Sequence, residues 1–369
     1  MNFIEFNNGN KLRQQIEKNI NTVLKHHQYI LGPEVFELEK KLSNFVGVNN
    51  CITVSSGTDA LLISLMALGI KPGDEIITTP FSFISTAEVI INLGAKPVFV
   101  DVNYNNALID PNLIEKKITK KTKAIIFVSL FGNMDGIDEI NLIAKNNCNI
   151  PVIEDGAQSF GSKFSNRNSC SITTIGCTSF YPSKPLGCYG DGGAIFTNNN
   201  KISELMKQIR IHGQNKKYNH KYIGVGGRID TIQCAILLAK YKFFKFEIKQ
   251  RKKIASIYDN FFKNISDKKF INKLEISQKC HSIYSQYTIR IKNRRHALIK
   301  HLLKDKIPTA IHYPKPINSQ KAYKAFNLDD TPIAKKLSKE VLSLPMSPYL
   351  KYKNQMHIIN SINKFINNK

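Results

Sequence analysis

The stretch Gly176-Cys-Thr-Ser-Phe-Tyr-Pro-Ser-Lys-Pro-Leu-Gly-Cys-Tyr-Gly-Asp-Gly-Gly193 sets one lysine, Lys184, between Pro182 and Pro185 and just ahead of a run of glycines. It follows a short apolar segment that reads as a strand ending at Ser179. Proline fixes its own φ and pushes the residue before it toward extended backbone, so few directions are open to Ser183 and Lys184. The glycines downstream let backbone approach a ligand closely. A lone lysine in such a loop is ordinarily a surface residue; the neighbouring sequence argues for more.

Upstream lies Pro151-Val-Ile-Glu-Asp155-Gly-Ala-Gln158-Ser-Phe-Gly161. A β-rich run that stops at Asp155 leaves this carboxylate at the carboxyl end of a strand, the edge where open α/β sheets bind ligands. An aspartate, a glutamine three residues on and a lysine about thirty residues later form the set that pyridoxal phosphate needs. The lysine supplies a Schiff-base amine, and the acid keeps the pyridine nitrogen protonated so that the ring accepts electrons. Gln158 can donate to the ring hydroxyl. Alone, Asp155 would read as a strand-end aspartate capping the next turn. A third element, Ser55-Ser-Gly57-Thr58-Asp-Ala-Leu61, turns from the first strand into a helix and frees N–H groups at the positive end of the helix dipole. The same residues would make an ordinary capped helix start. Beside Lys184 and Asp155 they read as a phosphate cup, with Gly57 and Thr58 as donors and the Ser179 hydroxyl as another.

Glu154-Asp155-x-Ala157-Gln158-Ser159, followed by Ser179-Phe-Tyr-Pro-Ser-Lys184-Pro-Leu-Gly187 and Gly190-Asp-Gly-Gly193, resembles the DegT family of nucleotide-sugar aminotransferases, and the likeness runs nearly end to end. It is most similar to members that aminate UDP-2-acetamido-2-deoxy-3-oxo-glucuronate for surface polysaccharide such as O-antigen. The resemblance implies a fold-type I enzyme with pyridoxal 5'-phosphate, glutamate as amino donor, and a homodimer with active sites at the interface. It assigns Phe83 to the face of the cofactor ring, whereas Phe81 is expected in the core. It also implies that the loop around Gln214 and Gly226 crosses to the partner, and that Gln214, His312 and Tyr313 contact substrate. Two positions depart from the family pattern. Gly226 stands where asparagine usually donates to the cofactor phosphate, and Asn318 where many members carry histidine. Losing a hydrogen bond to a charged group costs about 1.5–3 kcal/mol, unless water or backbone substitutes. Substitution is expected at Gly226, because the other phosphate ligands are present.

Length suggests about two domains, taken as 1–245 and 246–369. In the first, β-branched runs at 51–55, 75–79, 97–101, 124–129, 152–155, 177–179 and 194–197 alternate with helical stretches, which argues for a mainly parallel, seven-stranded sheet covered by helices. Two helices precede it, over 11–30 and 34–45, the second opened by Pro33. A long helix over 229–262 leads into a smaller α+β domain with an apolar run at 284–291 and a helix near 296–303.

The formal net charge of +25 raises nucleic acid as a partner. The lysines are scattered, however, and no helix-turn-helix, zinc finger or aromatic-basic motif accompanies them, so a solvated surface is expected. The same field would help an anionic nucleotide sugar find its site. No apolar run approaches the roughly 18 residues that span a bilayer. The opening residues lack the order of a secretion signal, and seven cysteines without a C-x-x-C pair fit reduced thiols; both favour the cytoplasm. No histidine has metal-ligand spacing, so no metal site is expected. Three rivals remain: a sugar dehydratase of the same family, disfavoured by Lys184 because those relatives carry histidine there; an aminotransferase for a dTDP-linked 3- or 4-keto deoxysugar; and a cofactor-free regulatory or nucleic-acid-binding protein on this scaffold.

Overall fold

Seven short strands form one sheet in the computed structural model, which describes residues 2–6, 9–265, 270–326 and 329–367. They are β1 (Asn50–Val54), β2 (Glu75–Thr78), β3 (Lys96–Phe99), β4 (Thr122–Val128), β5 (Val152–Asp155), β6 (Ile175–Ser179) and β7 (Gly193–Thr197). Their order across the sheet is β1-β7-β6-β5-β4-β2-β3. Pairing is parallel from β6 through β5, β4 and β2 to β3, and β7 runs antiparallel to both its neighbours. All seven expected strands are present, with ends displaced by at most two residues.

Both faces of the sheet are covered, which is why its strands read as near-continuous apolar runs. On one face Ile52, Val54, Ile76, Ile126 and Ile195 pack against Ala60, Leu61 and Ile63 of the helix Gly57–Ala67. On the other, Ile77, Ile125 and Phe127 meet Phe81, Ile137 and Ile140. The carboxyl ends of β1, β4, β5 and β6 share one edge, because β7 alone is reversed. The loop from β6 to β7 begins and ends at that edge, and it carries Lys184.

The first helix, Asn10–His26, ends earlier than the apolar periodicity suggested. His27 adopts a left-handed φ of 60° and its N–H closes on the Val23 carbonyl, which stops the helix. Leu12, Ile16 and Val23 are buried, whereas Leu24 is left outside. The second helix, Pro33–Val46, begins with proline in its first turn and ends at Gly47, whose φ of 85° favours glycine.

The helix Thr231–Lys263 is 33 residues long, about 50 Å at 1.5 Å per residue. Its first part sets Cys234, Leu237 and Phe244 against Phe160, Phe180 and Phe196. It passes residue 245 without a break, and its last part carries Ile254, Tyr258 and Phe262 into a second core. That core is completed by the antiparallel strands β8 (Ile271–Lys273), β9 (Tyr287–Ile291) and β10 (Val341–Leu344), with the helices Arg295–Lys304 and Tyr352–Asn367. Polar ties join the two regions. Tyr104 donates its hydroxyl to Glu340 at 2.7 Å and accepts Arg290 Nη1 on its carbonyl at 2.7 Å. The Asp101 carboxylate accepts the N–H groups of Ile333 and Ala334 in the first turn of the helix Pro332–Glu340. Among the described residues, no helix is long and apolar enough to cross a membrane.

Candidate active site

Lys184 is held by the loop that its prolines predict. Its N–H donates to the Tyr181 carbonyl at 2.8 Å, and the loop is closed by Cys188 N–H on the Phe180 carbonyl and Phe180 N–H on the Gly192 carbonyl, both at 2.7 Å. The side chain is half-buried, and among the described residues no carboxylate lies within 4 Å of its Nζ. Burial pulls the amine below its ordinary range, with Asp155 pulling the other way.

Asp155 ends β5 and is 9% exposed. Its Oδ1 accepts the Ala157 N–H at 3.2 Å and its Oδ2 the Thr86 hydroxyl at 3.1 Å. Burial raises the carboxyl above the usual carboxylate range, against the Ala157 N–H, the Lys184 charge and the Thr86 hydroxyl, which lower it. A cation or polarised N–H placed beside this carboxylate would find a strong partner.

Gln158 stands in the turn after β5 with its amide pinned at both ends. Oε1 accepts the Phe131 N–H at 2.8 Å and Nε2 donates to the Tyr313 hydroxyl at 3.0 Å. A backbone N–H can bond only the amide oxygen, so the amide cannot be flipped. The half-buried Tyr313 phenol is pushed up by burial and by Asp155, which keeps it protonated. His312 Nδ1 lies 3.0 Å from Ser343 Oγ, and burial together with the Lys184 charge lowers its pKa, favouring the neutral imidazole.

The turn at Ser56 opens the helix Gly57–Ala67, in which Ser56 Oγ caps the Asp59 N–H. The N–H groups of Gly57 and Thr58 stand in the first turn, where a helix leaves them without an internal partner. The Asp59 carboxylate accepts the hydroxyls of Ser55 and Ser56 at 2.5 and 2.9 Å, which occupies its charge away from those donors. Thr58 Oγ1 and Ser85 Oγ are 2.8 Å apart. A Cβ on Gly57 would stand 2.7 Å from Ser179 Cβ, so only glycine lets the helix start come this close to the end of β6.

One cleft of about 540 Å³ is lined by Gly57, Thr58, Phe83, Asp155, Gln158, Ser179, Lys184, His312 and Tyr313. Phe83 is 57% exposed, whereas Phe81 is fully buried, as expected for one ring facing the cleft and one in the core. Phe83 lies 6.4 Å from the Tyr313 ring. Gln214 does not line this cleft; it sits in a two-stranded hairpin, paired with His220. Gly226 is exposed, and a Cβ there would stand 3.1 Å from His212 Cε1. Asn318 is buried outside the cleft, donating to Thr331 Oγ1 at 3.0 Å. Sequence reasoning missed Thr86 on Asp155, Ser85 on Thr58, and Gln286 and Ser183 in the cleft wall. The Ser85-Thr86 pair opens the helix Ser85–Asn92 just after Phe83, and that position carried a readable signal. Gln286 comes from the bend just before β9, far along the chain, and carried none.

The arrangement can hold an anion at a helix start, a polarised ring nitrogen against a buried carboxylate, and a carbonyl beside an amine. A model of the DegT/DnrJ/EryC1/StrS aminotransferase family matches residues 10–363. The chain belongs to this family. A relative, the UDP-2-acetamido-2-deoxy-3-oxo-D-glucuronate aminotransferase of Pseudomonas aeruginosa, is 48% identical over 349 residues, covering 94% of this chain and 95% of its own. The DegT DnrJ EryC1 StrS aminotransferase from Brucella abortus superposes with a TM-score of 0.93 at 37% identity, over 99% of each chain. NtdA from Bacillus subtilis, solved with bound cofactor PMP, gives 0.91 at 29% identity over 99% of this chain and 83% of its own.

Proposed function

We propose that this DegT-family chain is a pyridoxal 5'-phosphate-dependent aminotransferase that moves an amino group from glutamate to the keto group of UDP-2-acetamido-2-deoxy-3-oxo-glucuronate. The reading assigns it to the cytoplasm and to surface polysaccharide synthesis. One observation carries it: an amine with no carboxylate within 4 Å among the described residues, a buried carboxylate and a helix start with free N–H groups border the same cleft.

The residues present fit the cofactor. Gly57 leaves a cradle that a Cβ would fill, and its N–H, that of Thr58 and the Ser179 hydroxyl would take the phosphate. Phe83 would cover the ring, Gln158 Nε2 would donate to the ring oxygen, and Asp155 would hold the ring nitrogen protonated. When bound, the cofactor supplies an electron sink and carries the amino group between the two half-reactions. Lys184 Nζ takes the proton from the glutamate Cα in the first half and delivers one to the sugar C3 in the second. Its lowered proton affinity favours the neutral amine that the first of these steps requires. His312 and Tyr313 orient the sugar nucleotide. Gln214 lies outside its own cleft, and we take it to reach the cleft of a second copy in a homodimer.

Two measurements test this. Mass spectrometry of products formed from a panel of keto sugars with isotope-labelled glutamate is expected to show label in the UDP-linked 3-amino sugar acid. Faster labelling of a dTDP-linked keto deoxysugar would replace the substrate, and no labelled product from any sugar would remove the activity. Gly57→Ala is expected to raise the cofactor dissociation constant at least about tenfold, because the new Cβ forces Ser179 away. An unchanged value in an absorbance titration would take the helix start out of the phosphate site.

A further inference from the structure

Glu154 precedes Asp155 on β5, faces away from the cleft and is 0% exposed. No cation lies within salt-bridge distance of it among the described residues. Hydroxyl and backbone donors surround it instead. Oε1 accepts Ser129 Oγ at 2.8 Å, Ser159 Oγ at 3.2 Å and Ser169 Oγ at 2.7 Å, and Oε2 accepts the Cys170 N–H at 2.7 Å. Burying a carboxylate without a counter-charge is costly, and several charge-assisted hydrogen bonds are what offset that cost.

Two of those donors, Ser159 and Ser129, lead to Gln158. Ser159 is its chain neighbour, in the turn where the N–H groups of Ser159 and Phe160 both close on the Gly156 carbonyl. Ser129 opens the short turn Leu130–Gly132, in which Phe131 takes a left-handed φ of 58° and turns its N–H onto Gln158 Oε1. That conformation is unfavourable for a bulky residue and persists only when its surroundings hold it. The turn that carries Gln158 and the turn that clamps its amide are therefore both moored to one oxygen, Oε1 of Glu154. We propose that Glu154 is a positioning residue that fixes the Gln158 amide, so that Nε2 faces the cleft and the Tyr313 hydroxyl. This rests on the reading of the cleft as the cofactor site, with Gln158 donating to the ring oxygen.

The test titrates the visible absorbance of the cofactor-loaded protein against pH. An N–H donated to the ring oxygen lowers the proton affinity there, so its loss raises the midpoint. Gln158→Ala is expected to move it upward by about one pH unit, the worth of one hydrogen bond to a charged group. Ser129→Ala, a mild change that removes a single mooring, is expected to move it the same way by about half as much. In the Gln158→Ala background, Ser129→Ala is expected to add nothing. A lowered melting temperature with an unmoved midpoint in Ser129→Ala, while Gln158→Ala shifts it, would overturn the positioning role and leave the cofactor site standing. Full additivity of the two shifts would overturn it too. An unmoved midpoint in Gln158→Ala would instead overturn the role given to Gln158, and this inference with it.

Discussion

Replacing Lys184 by alanine is expected to lower turnover by more than about a thousandfold and to abolish the visible absorbance of the loaded protein. The size follows from the double duty of one amine. It is the anchor for the cofactor aldehyde and the group that moves a proton at the donor Cα and the sugar C3. Among the described residues no neighbour is placed to take over, because His312, the other basic side chain lining the cleft, is tied to Ser343. The loop should survive, since its closing bonds are made by backbone groups of Tyr181, Phe180, Cys188 and Gly192. Circular dichroism unchanged from wild type would confirm that the loss is chemical. A wild-type protein that stays colourless and takes up no added cofactor would favour the regulatory rival, and a Lys184→Ala variant with undiminished turnover would end the assignment.

Asp155→Asn is expected to act in opposite directions on activity and stability. Activity should fall at least about a hundredfold, because the carboxylate that would hold the ring nitrogen protonated, and so keep the ring able to accept electrons, is lost. The cofactor-free variant, by contrast, should melt higher than cofactor-free wild type at neutral pH. Burial raises the Asp155 pKa in the folded chain, so its contribution to stability is full below the ordinary carboxylate range and is lost as pH rises through the raised folded value. Asparagine carries no such loss and keeps both partners, accepting the Ala157 N–H and donating to Thr86 Oγ1. The gap in melting temperature should therefore close as pH is lowered through the carboxylate range. A variant less stable than wild type at neutral pH would show that the ionised carboxylate helps the apoprotein fold.

The parts of this architecture that could be read from sequence are those set by short-range rules. Strand positions follow from β-branched runs; the edge that gathers Asp155 and Ser179 follows from parallel pairing, and Gly57 joins it because β1 runs the same way, with the reversed β7 between. Lys184 joins them because its loop returns to that edge. Contacts made by side chains far apart in the chain were not legible. That Gln158 meets both Phe131 and Tyr313 depends on how the turn at Leu130–Gly132 folds. Strand β10 escaped notice because it follows the helix Pro332–Glu340 directly, without glycine or proline to mark the change. Apolar periodicity continues past His27, although the backbone reverses hand there and ends the first helix. Gln214 could be given a role only through family likeness, since it does not line the cleft of its own chain.

A single unbroken rod is embedded in both hydrophobic interiors, from Cys234 at one end to Phe262 at the other. Torque applied to either half is passed along it to the other, and the polar clasps at Tyr104 and Asp101 resist shear at the seam. Room to admit a bulky sugar nucleotide is then expected to come from the loops along the sheet edge rather than from a hinge between the two cores.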